Sequence, residues 1–135
     1  MALHIRDFRQ SDAARLSRLS EAAHQLGAQP ATGFTGRILA GLREDCLSGA
    51  IWLSLEGETG IIPAILVGRT AGWHSDIREL IAEASLWLES RGAARIEIRA
   101  IPQDMAVLAG LLEMQFTPDA STGVLHRLVP ARSAA

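Results

Sequence analysis

The spacing of apolar and polar positions changes along this chain, and the changes divide it into elements. Leu3–Phe8 alternates, which predicts a short strand. Ser11 and Asp12 can cap a helix start, because their side-chain oxygens accept from orphan first-turn amides. Leu16, Leu19, Ala23 and Leu26 follow at helical spacing, and Gly27 closes the run. After a break at Gln29-Pro30-Ala31, the stripe Phe34, Ile38, Leu42 and Cys46 predicts a second helix, closed by Ser48-Gly49. Ala50–Leu55 and Ile61–Val67 read as strands joined by the turn Glu56–Gly60, a hairpin. The second is apolar almost throughout, as a central strand covered on both faces should be. Pro63 has no N–H to give a ladder and marks a bulge or the strand's start.

Beyond a polar loop, Gly68–Ser75, the residues Asp76 and Glu79 fit a capping pair. Ile77, Leu80, Ile81, Ala84, Trp87 and Leu88 make the strongest helical stripe of the chain, stopped by Gly92. Ile96, Ile98 and Ala100 alternate with Arg95, Glu97 and Arg99, which predicts a half-buried strand. Pro102-Gln103-Asp104 opens a last helix carrying Met105, Leu108, Leu111 and Leu112, and Val124–Val129 is a final strand. Strand, helix and strand in succession from Ile61 make a βαβ unit, whose strands should be parallel. With no internal repeat and no linker, residues 1–135 read as one domain, with 131–135 a loose tail.

Composition narrows the partners. The net charge is −2 and the basic residues are scattered arginines, so no basic patch points to nucleic acid. No apolar run reaches the ~20 residues of a membrane span, and the first residues lack a secretory core, so a cytoplasmic location is expected. The single cysteine, Cys46, excludes an internal disulfide framework and reads as an inert residue on an apolar helix face. His4, His24, His74 and His126 are not spaced as a metal pair, and no metal is expected.

Two blocks of wording resemble the GCN5-related N-acetyltransferase (GNAT) family. One is Ile5-Arg6-Asp7-Phe8-Arg9-Gln10-Ser11-Asp12-Ala13. The other runs from Val67 to Phe116, through Trp87-Leu88-Glu89-Ser90-Arg91-Gly92-Ala93, Arg95–Arg99, Ile101-Pro102-Gln103-Asp104 and Leu111-Leu112-Glu113-Met114-Gln115-Phe116. The resemblance implies an α/β (α+β layered) domain, a GNAT-like mixed central sheet with helices on both faces. Two strands fit between the second and third helices, where the family has three, so one strand fewer than usual is expected. It also implies acetyl-CoA as co-substrate and an amine as acceptor.

In the family, a loop of the form Arg/Gln-x-x-Gly-x-Gly/Ala before the third helix cradles the pyrophosphate on backbone amides and a helix N-terminus. The aligned stretch here is Gly72-Trp73-His74-Ser75-Asp76-Ile77, with Ser75 and Ile77 at the glycine positions and an added carboxylate at Asp76. A slipped alignment, Arg69-Thr70-Ala71-Gly72-Trp73-His74, restores the arginine and the first glycine. The resemblance thus marks Val67, Gly72, Trp73, Ser75, Ile77 and Asp104 as cofactor-binding candidates, Asp104 standing where an asparagine is common. The fourth-helix tyrosine that often acts as general acid is Leu111, in a chain without tyrosine, and the glycine before the closing phenylalanine is Gln115.

His74 is the catalytic candidate. It lies in the loop after a parallel strand, where open α/β sheets bind ligands, and its imidazole can exchange a proton near neutrality. Two functions follow from the resemblance. One is an acyl-CoA-dependent N-acetyltransferase. The other is a non-catalytic GNAT-like module that binds a partner or self-associates as a homodimer, with CoA binding lost.

Overall fold

The computed structural model describes residues 3–30 and 33–130; the expected tail at 131–135 and part of the break around Ala31 lie outside them. Eight strands form one mixed sheet. β1 (His4–Asp7), β3 (Arg37–Arg43), β4 (Cys46–Glu56), β5 (Thr59–Gly68), β6 (Arg95–Ile98), β8 (Leu125–Leu128) and β7 (Thr117–Pro118) lie side by side in that order, and β2 (Ala23–Leu26) joins at β5. Every pairing is antiparallel except β5 with β6. α1 (Ala13–Ser20) covers one face, over Ala50, Trp52, Ala64 and Leu66. α2 (Trp73–Ser90) and α3 (Met105–Glu113) cover the other, over Leu39, Ile51, Ile65 and Ile96. The mixed sheet with helices on both faces is therefore as expected.

The first half departs from the sequence reading in two places. The stripe from Phe34 to Cys46 is strand β3, with its hairpin partner, and no helix. Its run Ile38-Leu39-Ala40-Gly41-Leu42 is apolar on both sides because both faces of a central strand are covered, and that hides the two-residue alternation. Leu39 enters the α2 side and Ile38 the α1 side. Glu44 and Asp45, both at positive φ (52° and 64°), make the turn to β4. This is the backbone of a tight hairpin turn that usually carries Asn or Gly. Cys46 follows it as an exposed residue at the start of β4, not a buried one on a helix. Three long strands thus stand between α1 and α2. The expected shortage of a strand does not hold; among the described residues it is the second helix that is absent.

The first helix also ends early. Ser20 turns its hydroxyl back onto the Leu16 carbonyl, and the chain re-emerges as β2. Leu16, Leu19 and Ala23, all partly buried, still meet one apolar cluster, so the spacing identified the inward-facing residues but not the backbone that carries them. Asp12 is buried, accepting from the Arg6 guanidinium at 2.7 and 3.0 Å and from the Arg9 amide at 2.8 Å. Arg6 holds its carboxyl down at about 2, so β1 and α1 stay tied together across the neutral range.

The second half follows the expected order. Gln115 has φ 74° between α3 and the buried Phe116, the left-handed conformation for which glycine is suited. Gln115→Gly should therefore raise unfolding free energy by about 1 kcal/mol, read by urea denaturation. A neutral or destabilising result would show that the glutamine side chain compensates for its backbone strain.

The candidate cleft between two parting strands

β5 and β6 run parallel over a short stretch, Thr59–Ile62 against Arg95–Ile98, closed by the Arg99 amide donating to the Ile62 carbonyl at 2.9 Å. Pro63 comes next and cannot donate to a neighbour. Opposite it the β4–β5 register shifts between Trp52 and Ser54, so the sequence expectation of a bulge at Pro63 is met. There the pairing of β5 with β6 ends, because β6 stops at Ile98, and residues 65–68 of β5 pair with β2 instead. The helices that follow each strand start at this end of the sheet.

α2 begins at Trp73, directly after Gly72, rather than at the expected pair Asp76 and Glu79. This favours the slipped register: Arg69-Thr70-Ala71-Gly72 is the stretch ahead of the helix, and Arg69 is exposed. A Cβ at Gly72 would meet nothing within 4 Å. The Trp73 amide donates to the Thr70 carbonyl at 3.3 Å, and no side chain caps the α2 N-terminus, which leaves the His74 and Ser75 amides as its orphan donors. Asp76 is fully buried inside the first turn, and both of its oxygens accept from Arg43 on β3, at 3.0 and 2.8 Å. The carboxylate that the sequence adds at this position is thus turned into the fold.

α3 does begin where expected. Asp104 caps it, accepting from the amides of Ala106 (2.9 Å) and Val107 (3.1 Å). The Val107 amide, with help from His74, holds the Asp104 carboxyl below its usual range. His74 Nε2 lies 3.3 Å from Asp104 Oδ1, a link between the starts of the two helices.

Between them is a cavity of about 330 Å³ lined by His24, Leu26, Trp73, Ile77, Asp104 and Val107, among others. The indole of Trp73 stacks on the His24 ring at 3.8 Å and 15°, and meets the His74 ring at 3.6 Å. The structure therefore brings Gly72, Trp73, His74, Ile77 and Asp104 to one place. Ser75 lines a separate depression with Arg78 and Glu79. Val67 is buried within the ladder, opposite Gly49 of β4 on one side and His24 of β2 on the other. His24 was not among the sequence candidates. Its place depends on β2 pairing with residues far along the chain, and no local signal carries that.

Away from the cleft, Glu97 on β6 is held between Arg95 (3.0 Å) and Arg99 (3.5 Å) and faces His126 in register. Leu111, where the resemblance looks for a tyrosine, is a fully buried core residue.

Solved structures share this architecture over nearly their whole length. The ribosomal-protein-S18-alanine N-acetyltransferase from Escherichia coli superposes with a TM-score of 0.77 at 14% identity, covering 98% of each chain. The fold is that of the GNAT N-acetyltransferases. Nourseothricin acetyltransferase (TM-score 0.74, 17% identity) and the PaiA N-acetyltransferase of Thermoplasma acidophilum in complex with coenzyme A (0.71, 11%) each match 96% of this chain and 100% of their own. No protein-family model matches the sequence, and no curated protein does. Among the described residues no helix is long and apolar enough to cross a membrane.

Proposed function

We propose that this GNAT-fold chain is an acyl-CoA-dependent N-acetyltransferase acting on an amine. The observation that carries the reading is the cavity where the β5–β6 pairing ends at Pro63, lined by Trp73 and Asp104 at the starts of α2 and α3. Acetyl-CoA would supply the thioester that the amine attacks. The phosphate end of the site suits it: open space at Gly72, the exposed Arg69 and the first amides of α2 offer an anion what it needs. The neighbour solved in complex with coenzyme A supports the same co-substrate.

His74 is the group to accept a proton. If Nε2–H donates to Asp104, Nδ1 is left as a lone-pair acceptor, and Asp104 fixes the ring. No phenol stands by to protonate the leaving thiolate, so water takes that part.

One observation favours a second reading, a non-catalytic module that binds a partner or itself: β2 lies along the strand edge that would line the co-substrate arm. Thermal denaturation with acetyl-CoA separates the two. Saturable stabilisation is expected, about 2.7 kcal/mol at 100 times the dissociation constant. No shift at millimolar acetyl-CoA in either the wild type or Gly27→Ala would overturn the enzyme reading. A defined oligomer in light scattering would then support the module.

A further inference from the structure

The edge of β5 is shared. Residues 59–62 pair with β6; residues 65–68 pair with β2, in the register Ala23↔Gly68, His24↔Val67, Gln25↔Leu66 and Leu26↔Ile65. An acyl-CoA arm is an extended chain with two amides, which a free strand edge can pair with. The free edge beyond Pro63 is the one that β2 covers. We infer that β2 is a removable strap: it closes the cleft in the state described and must leave the β5 edge before acyl-CoA can enter. This rests on the acyl-CoA reading above.

Besides the packing of Ala23 and Leu26 on the apolar clusters, three contacts hold the strap. The first is the four-residue ladder. The second is Gly27, at φ +74°, which seats the chain against the base of the cleft. A Cβ there would lie 2.1 Å from the Pro63 carbonyl oxygen and 3.3 Å from Ala100 Cβ. The third is the stack of His24 on Trp73, which ties the strap to the α2 N-terminus. An anion arriving at that terminus thus meets the residue that secures the strap.

Other features let it go. None of the four β2 residues is fully buried. Its second edge pairs with no strand among the described residues. When it leaves, β5 keeps β4 and β6, so the sheet persists, and the apolar contacts given up are those of the partly buried Leu26 and Ala23. Closure then acts as a tax on affinity: the apparent dissociation constant is the intrinsic one divided by the open fraction, so a strap open about 1% of the time weakens binding about 100-fold.

The test uses the full chain with Cys46→Ser as parent, and acetyl-CoA as the titrant in calorimetry, since it has no free thiol. Gly27→Ala removes the seat and should bind at least 10-fold more tightly. Ala23→Cys with Gly68→Cys tethers the strap across one registered pair, whose Cα separation of about 5 Å suits a disulfide. Its oxidised form should bind at least 10-fold more weakly than the same protein reduced by a phosphine. Hydrogen exchange should show residues 23–26 opening on binding while 65–68 stay protected.

Equal affinity of parent, Gly27→Ala and both redox forms overturns the strap and leaves the acyl-CoA reading standing. Absence of binding in parent, Gly27→Ala and reduced tether, each with an intact melting transition, overturns both. If Gly27→Ala does not fold, the two redox forms of the tethered protein decide alone.

Discussion

Leu80→Ala is expected to lower the unfolding free energy by about 3–4 kcal/mol, seen as a fall of roughly 10 °C or more in melting temperature. The size follows from where Leu80 sits. Gly41 and Gly49 face each other across β3 and β4, and together they leave a notch in the sheet. A Cβ built on Gly41 would come within 3.3 Å of one Leu80 methyl, and one on Gly49 within 3.1 Å of the other. Leu80 is fully buried there and positions α2 on the sheet. Truncation leaves a void lined by backbone, which cannot collapse far. Refilling it should be possible from the other side. Gly41→Ala alone crowds Leu3 and Leu80 and should destabilise, yet in the Leu80→Ala background it should recover about 1 kcal/mol or more. Strict additivity of the two substitutions would show that the notch does not bind the helix in this way. Since α2 begins at the cleft mouth, the loss should also weaken acyl-CoA binding.

Asp76→Ala is expected to cost about 3 kcal/mol, at the low end for a broken buried pair, because the Arg43 side chain keeps 27% exposure. The guanidinium would lose a bidentate partner that holds β3 to α2. Asp76→Asn keeps the shape but not the charge and should cost about half as much. Affinity for acetyl-CoA in the folded fraction should stay within a few-fold of the wild type, since both carboxylate oxygens are committed to Arg43. A clear gain in affinity for Asp76→Ala would show that the carboxylate does act on the bound anion. Chemical denaturation and calorimetry on the same preparations give both numbers.

How much of this was legible beforehand differs between the halves, for physical reasons. β5, α2, β6 and α3 are local objects: each shows its own period, and Asp104 and Gly92 punctuate them. The meeting of Trp73, His74 and Asp104 follows from topology, because helices that succeed neighbouring strands start at the same end of the sheet. β3 does not show in the sequence because two-sided burial removes alternation, and because its turn uses Glu44 and Asp45 at positive φ, where no glycine or asparagine signals a hairpin. β2 was misread because nothing within residues 23–26 states a preference as strong as the unpaired edge of β5. The choice of register ahead of α2 rested on capping residues, and Asp76, a good cap by type, was needed elsewhere as a buried counter-ion.

Pro63 has a further consequence for how the chain reaches this state. The β4–β5 hairpin is local and can form early. Its outer edge is then approached from both directions along the chain: by β6 after α2 has wound, and by β2, made long before and held in waiting. Both are short, and either could slide along a uniform edge into the other's place. The missing N–H divides that edge into two berths, so each arrival finds its own. Folding traps, rather than equilibrium stability, are where the loss of this proline would first be felt.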